Sequence, residues 1–261
     1  MTSGGVSALR LRHGYDLLIE LVLRDIRLRY KRSVLGLAWS ALSPLAQFLI
    51  LRLVFGVLIP LDIPRYSSFL ATGVLVWNWF QASLVGATGA IVDNRDLVRR
   101  PGFPVATLPA VTVTSHLVQF LLALPILVIF LLSDGIGLHA SILALPLVIV
   151  LQFAFTLGLA YALAAVHVTF RDTQYLLNIA LQLLFYLTPV FYDLTVLPEA
   201  YRPFFRWNPI AGLLEAYRGV LLDGRLPSAD ALVLPAGAAI AALIVGSALF
   251  RRSSSHFLED L

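Results

Sequence analysis

The 261-residue chain has no cysteine, and its only lysine is Lys31. The missing cysteines exclude disulfides, thiolate catalysis, iron–sulfur clusters and cysteine-based zinc sites together. A phosphate-binding loop needs Gly-Lys-Ser/Thr, and Lys31 follows Tyr30, so nucleotide hydrolysis of that kind is excluded as well. The five histidines, His13, His116, His139, His167 and His256, form neither HExxH nor a close pair. We therefore expect no metal ligands and no catalytic residues. Charge is also scarce: charged residues make up 13%, against roughly 25% in soluble domains. No two acidic residues share the interior of an apolar run, which argues against a proton relay. There are no alternating segments of about 10 residues, the signature of a membrane β-barrel, and nothing points to nucleic acid.

Apolar sequence dominates instead, at 59% hydrophobic residues with a strongly positive mean hydropathy. About 20 apolar residues cross the hydrocarbon core, and six such runs are read at 34–59, 69–92, 105–132, 142–168, 175–192 and 229–250. Backbone groups in lipid must pair internally, so these runs are expected to be helices. The expected fold is an all-α membrane protein with six transmembrane helices. It divides into a cytoplasmic amphipathic segment 1–32, one transmembrane domain 33–252 and a tail 253–261.

Thirteen basic residues fall on one side of these runs and five on the other, which places both termini in the cytoplasm. The N-terminus lacks the short apolar core of a cleavable signal. Within 15–32, Asp16, Glu20, Arg24, Arg27 and Lys31 lie in one helical stripe of about 80°. Tyr15, Leu18, Ile19, Val22, Ile26 and Tyr30 occupy the opposite face. That pattern suits a helix in the membrane interface, as a lipid anchor or as a contact for a cytoplasmic partner. The connection 93–104 reads either as a solvated turn or as a small helix offered to the same partner.

Arg52 stands inside the first run, where a guanidinium costs at least about 2.5–3.5 kcal/mol unless it faces a cavity or a partner. It either snorkels to the interface or meets a translocation path or subunit seam. The stretch 188–219, TPVFYDLTVLPEAYRPFFRWNPIAGLLEAYRG, holds seven aromatics, four prolines and six charges. It is too polar to span and too aromatic for a water-exposed loop. Two short helices that dip into the outer half of the membrane satisfy both constraints. The break falls near Trp207–Pro209, and the second helix covers 210–222 and is ended by Gly224. The re-entrant segment as a whole is 193–224.

Four stretches carry a resemblance: RDIRLRYKRSVLGLAWSALSPL, GVLVWNWFQASLVGATGAIVDNRDLVRRPGFP, FRDTQYLLNIALQLLFYLTPVFY and NPIAGLLEAYRGVLLDG. Their order over residues 15–250 resembles the permease subunit of type-2 ABC exporters, in the branch that exports O-antigen, capsule or teichoic-acid polymers. The run RRPGFPVATLP departs from the lysine-containing form more usual at that place. The resemblance implies a homodimer bound to two copies of a separate ABC ATPase, which carries ATP and Mg, so that this chain binds no cofactor itself. It implies a lipid-pyrophosphate-linked polysaccharide as substrate and the bacterial inner membrane as location.

ATPase coupling would fall on Glu20, Arg24 and Arg27 and on Asn94, Arg95, Asp96, Arg99 and Arg100. Trp77, Trp79 and Phe80, whose rings could stack on sugars, would join Arg52 on the translocation path; the alternative is core packing or an interfacial belt. Tyr192, Phe204, Phe205, Trp207, Asn208, Tyr217 and Arg218 would form an extracytoplasmic gate, with Phe204 and Trp207 near the dimer axis. Drug or small-lipid export by the same fold is the nearest alternative. An intramembrane enzyme would need a catalytic pair that the spans do not show.

Overall fold

The computed structural model of the chain describes residues 16–27, 38–137, 139–202, 205 and 207–257. Every described residue lies in a helix or in a turn between helices, with no strand among them. Residues 16–27 form α1. Helix α2, Ala38–Leu53, runs on into a π-helical turn, Val54–Leu58. Then come α3 (Tyr66–Gly89), the single-turn α4 (Arg95–Val98) and α5 (Thr107–Ser133). A 3-10 turn, Ala140–Ala144, leads into α6 (Leu145–Thr169), and α7 (Thr173–Tyr186) follows. Helices α8 (Pro209–Leu221) and α9 (Ala229–Ser253) complete the chain.

Four segments are long and apolar enough to cross a membrane: Tyr66–Gly89, Thr107–Ser133, Ala140–Thr169 and Ala229–Ser253. Leu42–Leu58 is a shorter apolar helix. Helix α7 has 14 residues, fewer than the roughly 20 of an upright span. It stops well before residue 192, the end expected from the apolar run. The cause is local, because Pro189 disfavours helical backbone at the residue before it and cannot donate to the ladder.

Helix α3 is the axis of the bundle, with α2, α5, α6, α7 and α8 packed around it. It is the least apolar of the four long segments and the most enclosed, with 67% of its apolar stretch buried against 17% for that of α9. Protein neighbours rather than lipid surround it, so polar side chains are tolerated where they find partners. At its start Asp134 accepts hydrogen bonds from the Ser68 backbone N–H (2.8 Å) and from Ser68 Oγ (2.6 Å), and Thr72 Oγ1 donates to the Ser68 carbonyl.

Helix α9 lies along α6 at a crossing with no room for side chains. A Cβ on Gly246 would collide with the Gly158 carbonyl, and one on Gly158 with the Ala242 backbone. Lipid supplies no hydrophobic drive for helix association, so such small-residue contacts hold spans together by close backbone packing. Gly158→Leu or Gly246→Leu is expected to abolish most folded protein in membranes. Gly237→Leu, in open space on α9, should express as the wild type. Equal yields of all three, measured by gel filtration in detergent, would contradict this crossing.

Candidate functional site

The connections gather at two ends of the bundle. One end carries α1, α4, the α6–α7 turn and the last turns of α9, and is rich in arginine. The opposite, far end carries the α2–α3 and α5–α6 connections and the described residues between Thr188 and Ser228.

At the basic end, Leu21 and Val22 of α1 are buried against Val111 near the start of α5, with Leu17, Leu18, Ile26 and Phe103 around them. Helix α1 is thus seated on the bundle, while Glu20, Arg24 and Arg27 stay exposed. Tyr15 and residues 28–32 of the amphipathic segment lie outside the described residues. Helix α4 is anchored by Val98, buried among Ile91, Leu108, Ala165, Val168 and Phe250. That burial leaves Arg95, Asp96, Arg99 and Arg100 exposed on one small projecting turn.

Asn94 organises the turn. Its backbone carbonyl accepts from the N–H groups of Leu97 and Val98, and its Nδ2 donates to the Ala90 carbonyl. Arg24 Nη2 in turn donates to Asn94 Oδ1 at 3.4 Å. The two segments singled out for coupling, 70 residues apart in sequence, therefore meet on one surface.

Several aromatic residues of α3 are enclosed by the chain's own helices. Trp77 is fully buried, donates its indole N–H to Gln81 Oε1 at 2.7 Å and packs edge-on to Phe185. Phe80 is buried and stacks on Phe155. Both are core residues of a single chain, so stacking of Trp77 on a sugar is incompatible with this packing. Trp79 lines a cavity of about 200 Å³ between α2, α3 and α5, with Ser43, Asn78, His116 and Gln119. Its indole N–H and the Gln119 amide are buried there without a hydrogen-bond partner among the described residues. Asn78 Nδ2 donates to Gln47 Oε1 and ties α2 to α3 beside this cavity. Arg52 is exposed in the last turn of α2, on a face with Leu49, Ile50 and Leu53 that points away from the chain's own bundle.

At the far end, α8 begins as its sequence dictates. Asn208 caps it, accepting from the Ile210 N–H, and donates to Thr188 Oγ1, while Pro209 fills a first-turn position that needs no N–H. Gly224 takes a left-handed φ of +65° shortly after its end. Tyr192 donates to the Tyr186 carbonyl and meets Phe205 edge to face. Phe204 lies outside the described residues. Trp207 is 77% exposed on a single chain, so its expected shielding is absent within one copy. Tyr217 is fully buried, edge-on to Phe120.

Arg218 clasps three elements. Nη1 donates to the Pro189 carbonyl at 2.7 Å and Nη2 to the Val190 carbonyl at 2.8 Å, and the guanidinium lies 3.4 Å over the Phe69 ring. Sequence reading assigned Arg218 to a gate; its bonds show a fastening, which no spacing pattern signals. Among the described residues no group of three potential metal ligands stands together.

The ABC-2 type transporter family matches residues 16–222. A Myxococcus xanthus protein, "O-antigen export system permease protein RfbA", is 36% identical over 247 residues, covering 94% of this chain and 95% of the relative. A Klebsiella pneumoniae protein of the same name is 28% identical over 95% of both chains. The Escherichia coli "Polysialic acid transport protein KpsM" is 27% identical, covering 92% of this chain and 94% of its own length. The chain belongs to the membrane-protein family of ABC-2 type transporters.

Replacing Arg218 with leucine strands the two carbonyls it serves. Each unmet buried acceptor costs about 1–3 kcal/mol, so Arg218→Leu should lower the thermal unfolding midpoint in detergent by several degrees. Arg225→Ala, which removes an exposed cation paired with Asp223, should leave the midpoint nearly unchanged. Equal midpoints for all three proteins would contradict the clasp.

Proposed function

We propose that the chain is the membrane subunit of an ATP-driven exporter that moves a lipid-linked polysaccharide across the bacterial inner membrane. The single observation that carries this reading is similarity along nearly the whole chain to permeases named for O-antigen export and polysialic acid transport. Those names favour a polysaccharide over a drug or small lipid as cargo.

The chain works as a homodimer with two copies of a cytoplasmic ABC ATPase, which binds ATP and Mg. Six spans support it, α2 and α7 joining the four long segments, with 1–32 and 253–261 on the cytoplasmic side. The amphipathic α1 and the turn at α4 receive the ATPase motion through Glu20, Arg24, Arg27, Asn94, Arg95, Asp96, Arg99 and Arg100. The meeting of α1 and α4 through Arg24 and Asn94 supports that role. The outward face of α2, bearing Arg52 among exposed apolar side chains, is assigned to the seam between the copies, where the polymer passes. Trp79 faces the polar cavity beside that helix, while Trp77 and Phe80 hold the spacing of α3 from α6 and α7. Residues 193–224 re-enter the outer half of the membrane, with Tyr192, Phe204, Phe205, Trp207 and Asn208 at the exit, where Tyr217 and Arg218 lock α8 in place.

Two experiments test the coupling and the path. Charge reversal in Arg99→Glu/Arg100→Glu should weaken co-purification of the ATPase by about tenfold or more, a loss of roughly 1.4 kcal/mol, with normal membrane insertion. Unchanged association and export would sink the assignment. Arg52→Leu should insert more easily, by about 3 kcal/mol, yet reduce polymer at the cell surface. Wild-type export by that variant would remove Arg52 from the path.

A further inference from the structure

The most polar cavity of the far end is a cleft of about 630 Å³ between the start of α3, the stretch after α7, and α8. Four arginines line it, Arg65, Arg202, Arg218 and Arg225, together with three carboxylates. The carboxylates are mostly engaged. Asp223 pairs with Arg225. Asp193 caps its own turn, accepting from the Thr195 N–H at 2.7 Å and from its hydroxyl at 2.6 Å. Glu215 is exposed on α8 one turn before Arg218.

Three guanidiniums are held by carbonyls, and Arg218 is also acted on through space by the Asp193 and Glu215 carboxylates. Arg65 donates to the Leu222 carbonyl at 3.3 Å. Arg202 donates to the carbonyls of Leu197 and Thr195, both at 3.0 Å, and its nearest carboxylate, Glu199 at 3.9 Å, is 92% exposed. Arg218 is fixed by Pro189 and Val190, and its Nε is buried with no partner among the described residues. Arg65 also holds a left-handed backbone, φ +55°, at the first turn of α3. A guanidinium fork presents paired donors to a phosphate, and fixed forks lose little freedom on binding it. Most of the remaining wall, including Ile63, Pro64, Phe69, Leu194 and Leu222, is apolar. Positive donors above apolar walls suit an amphiphile rather than a soluble anion.

We propose that this cleft seats the phosphate headgroup of a lipid on the far side of the membrane, with Arg65, Arg202 and Arg218 as its ligands. The inference rests on the placement of this end at the extracytoplasmic surface and on no property of the polymer. Lipid phosphate has two sources there, an anionic phospholipid of the bilayer and a polyprenyl pyrophosphate carrier.

The test uses the full-length permease, purified in detergent, stripped of lipid and titrated by native mass spectrometry. The probes are dioleoyl phosphatidylglycerol, undecaprenyl pyrophosphate, dioleoylglycerol and inorganic pyrophosphate. Both lipid phosphates should bind, and the two other probes at least about tenfold more weakly, the scale of one or more charge-assisted hydrogen bonds lost. Arg65→Gly/Arg202→Ala, which spares the Arg218 clasp and relieves the left-handed residue, should weaken both lipids by about tenfold or more. Undecaprenyl pyrophosphate binding tenfold tighter than phosphatidylglycerol identifies the carrier, and comparable affinities identify bulk anionic lipid; both support the site. Binding of the wild type should also fall with added salt, a readout independent of any variant's folding. Equal binding of dioleoylglycerol, equal binding of inorganic pyrophosphate, unchanged affinity in the double variant or no salt dependence would each overturn it. Restoration of polysaccharide export by this permease in a strain lacking its own is scored separately, since failure to restore it would count against the polysaccharide reading and leave the headgroup site standing.

Discussion

A guanidinium inside a membrane protein must be compensated, and the compensation of Arg218 organises one end of this molecule. Pro189 breaks the helical ladder after α7 and leaves its own carbonyl and that of Val190 without intrahelical donors. Arg218 supplies the donors and spreads its charge over Phe69. The contact requires Gly73 on α3, where a Cβ would strike the Val190 carbonyl and stand 2.9 Å from Arg218 Nη2. Gly73, Phe69, Pro189, Val190 and Arg218 are thus one unit drawn from three parts of the sequence.

Other far-end contacts extend from that unit. Helix α8 is drawn against α3, Ser141 donates to the Val220 carbonyl at its other end, and Gly212 brings it within reach of Pro235 on α9. The basic end is built by different means. Short elements are nailed down by single buried residues, Val98 for α4 and Leu21 with Val22 for α1. Their charged side chains remain exposed, which suits a surface that meets a partner, whereas the far end draws the Arg218 guanidinium inside.

Much of this was legible in the sequence, for physical reasons. Apolar runs in a charge-poor chain dictate helices, and Asn208-Pro209 and Gly224 mark the two ends of α8 through capping and left-handed backbone. The early stop of α7 was equally written at Pro189, where the sequence already places the end or a kink of regular helix, although the apolar run itself continues to residue 192. Other features depend on neighbours that no local pattern names. Trp77 and Phe80 read as candidates for sugar stacking because an aromatic on a span looks the same whether lipid, sugar or Phe155 faces it. Gly158 and Gly246 stand 88 residues apart, and only the crossing of α6 and α9 shows that a side chain at Gly246 would strike Gly158 and one at Gly158 would strike Ala242. The clasp of Arg218 was illegible because its partners are carbonyls, which every residue possesses.

The most direct test asks whether the stretch before α9 is folded into the bundle or lies over it as a surface loop. The chain has no native cysteine, so single cysteines report without background. In intact membranes, Leu214→Cys on the buried face of α8 should resist a bulky aqueous maleimide that rapidly labels Asp230→Cys at the exposed start of α9. Labelling of both positions at the same rate in folded protein would contradict the inward packing of α8 and the Arg218 clasp that holds it.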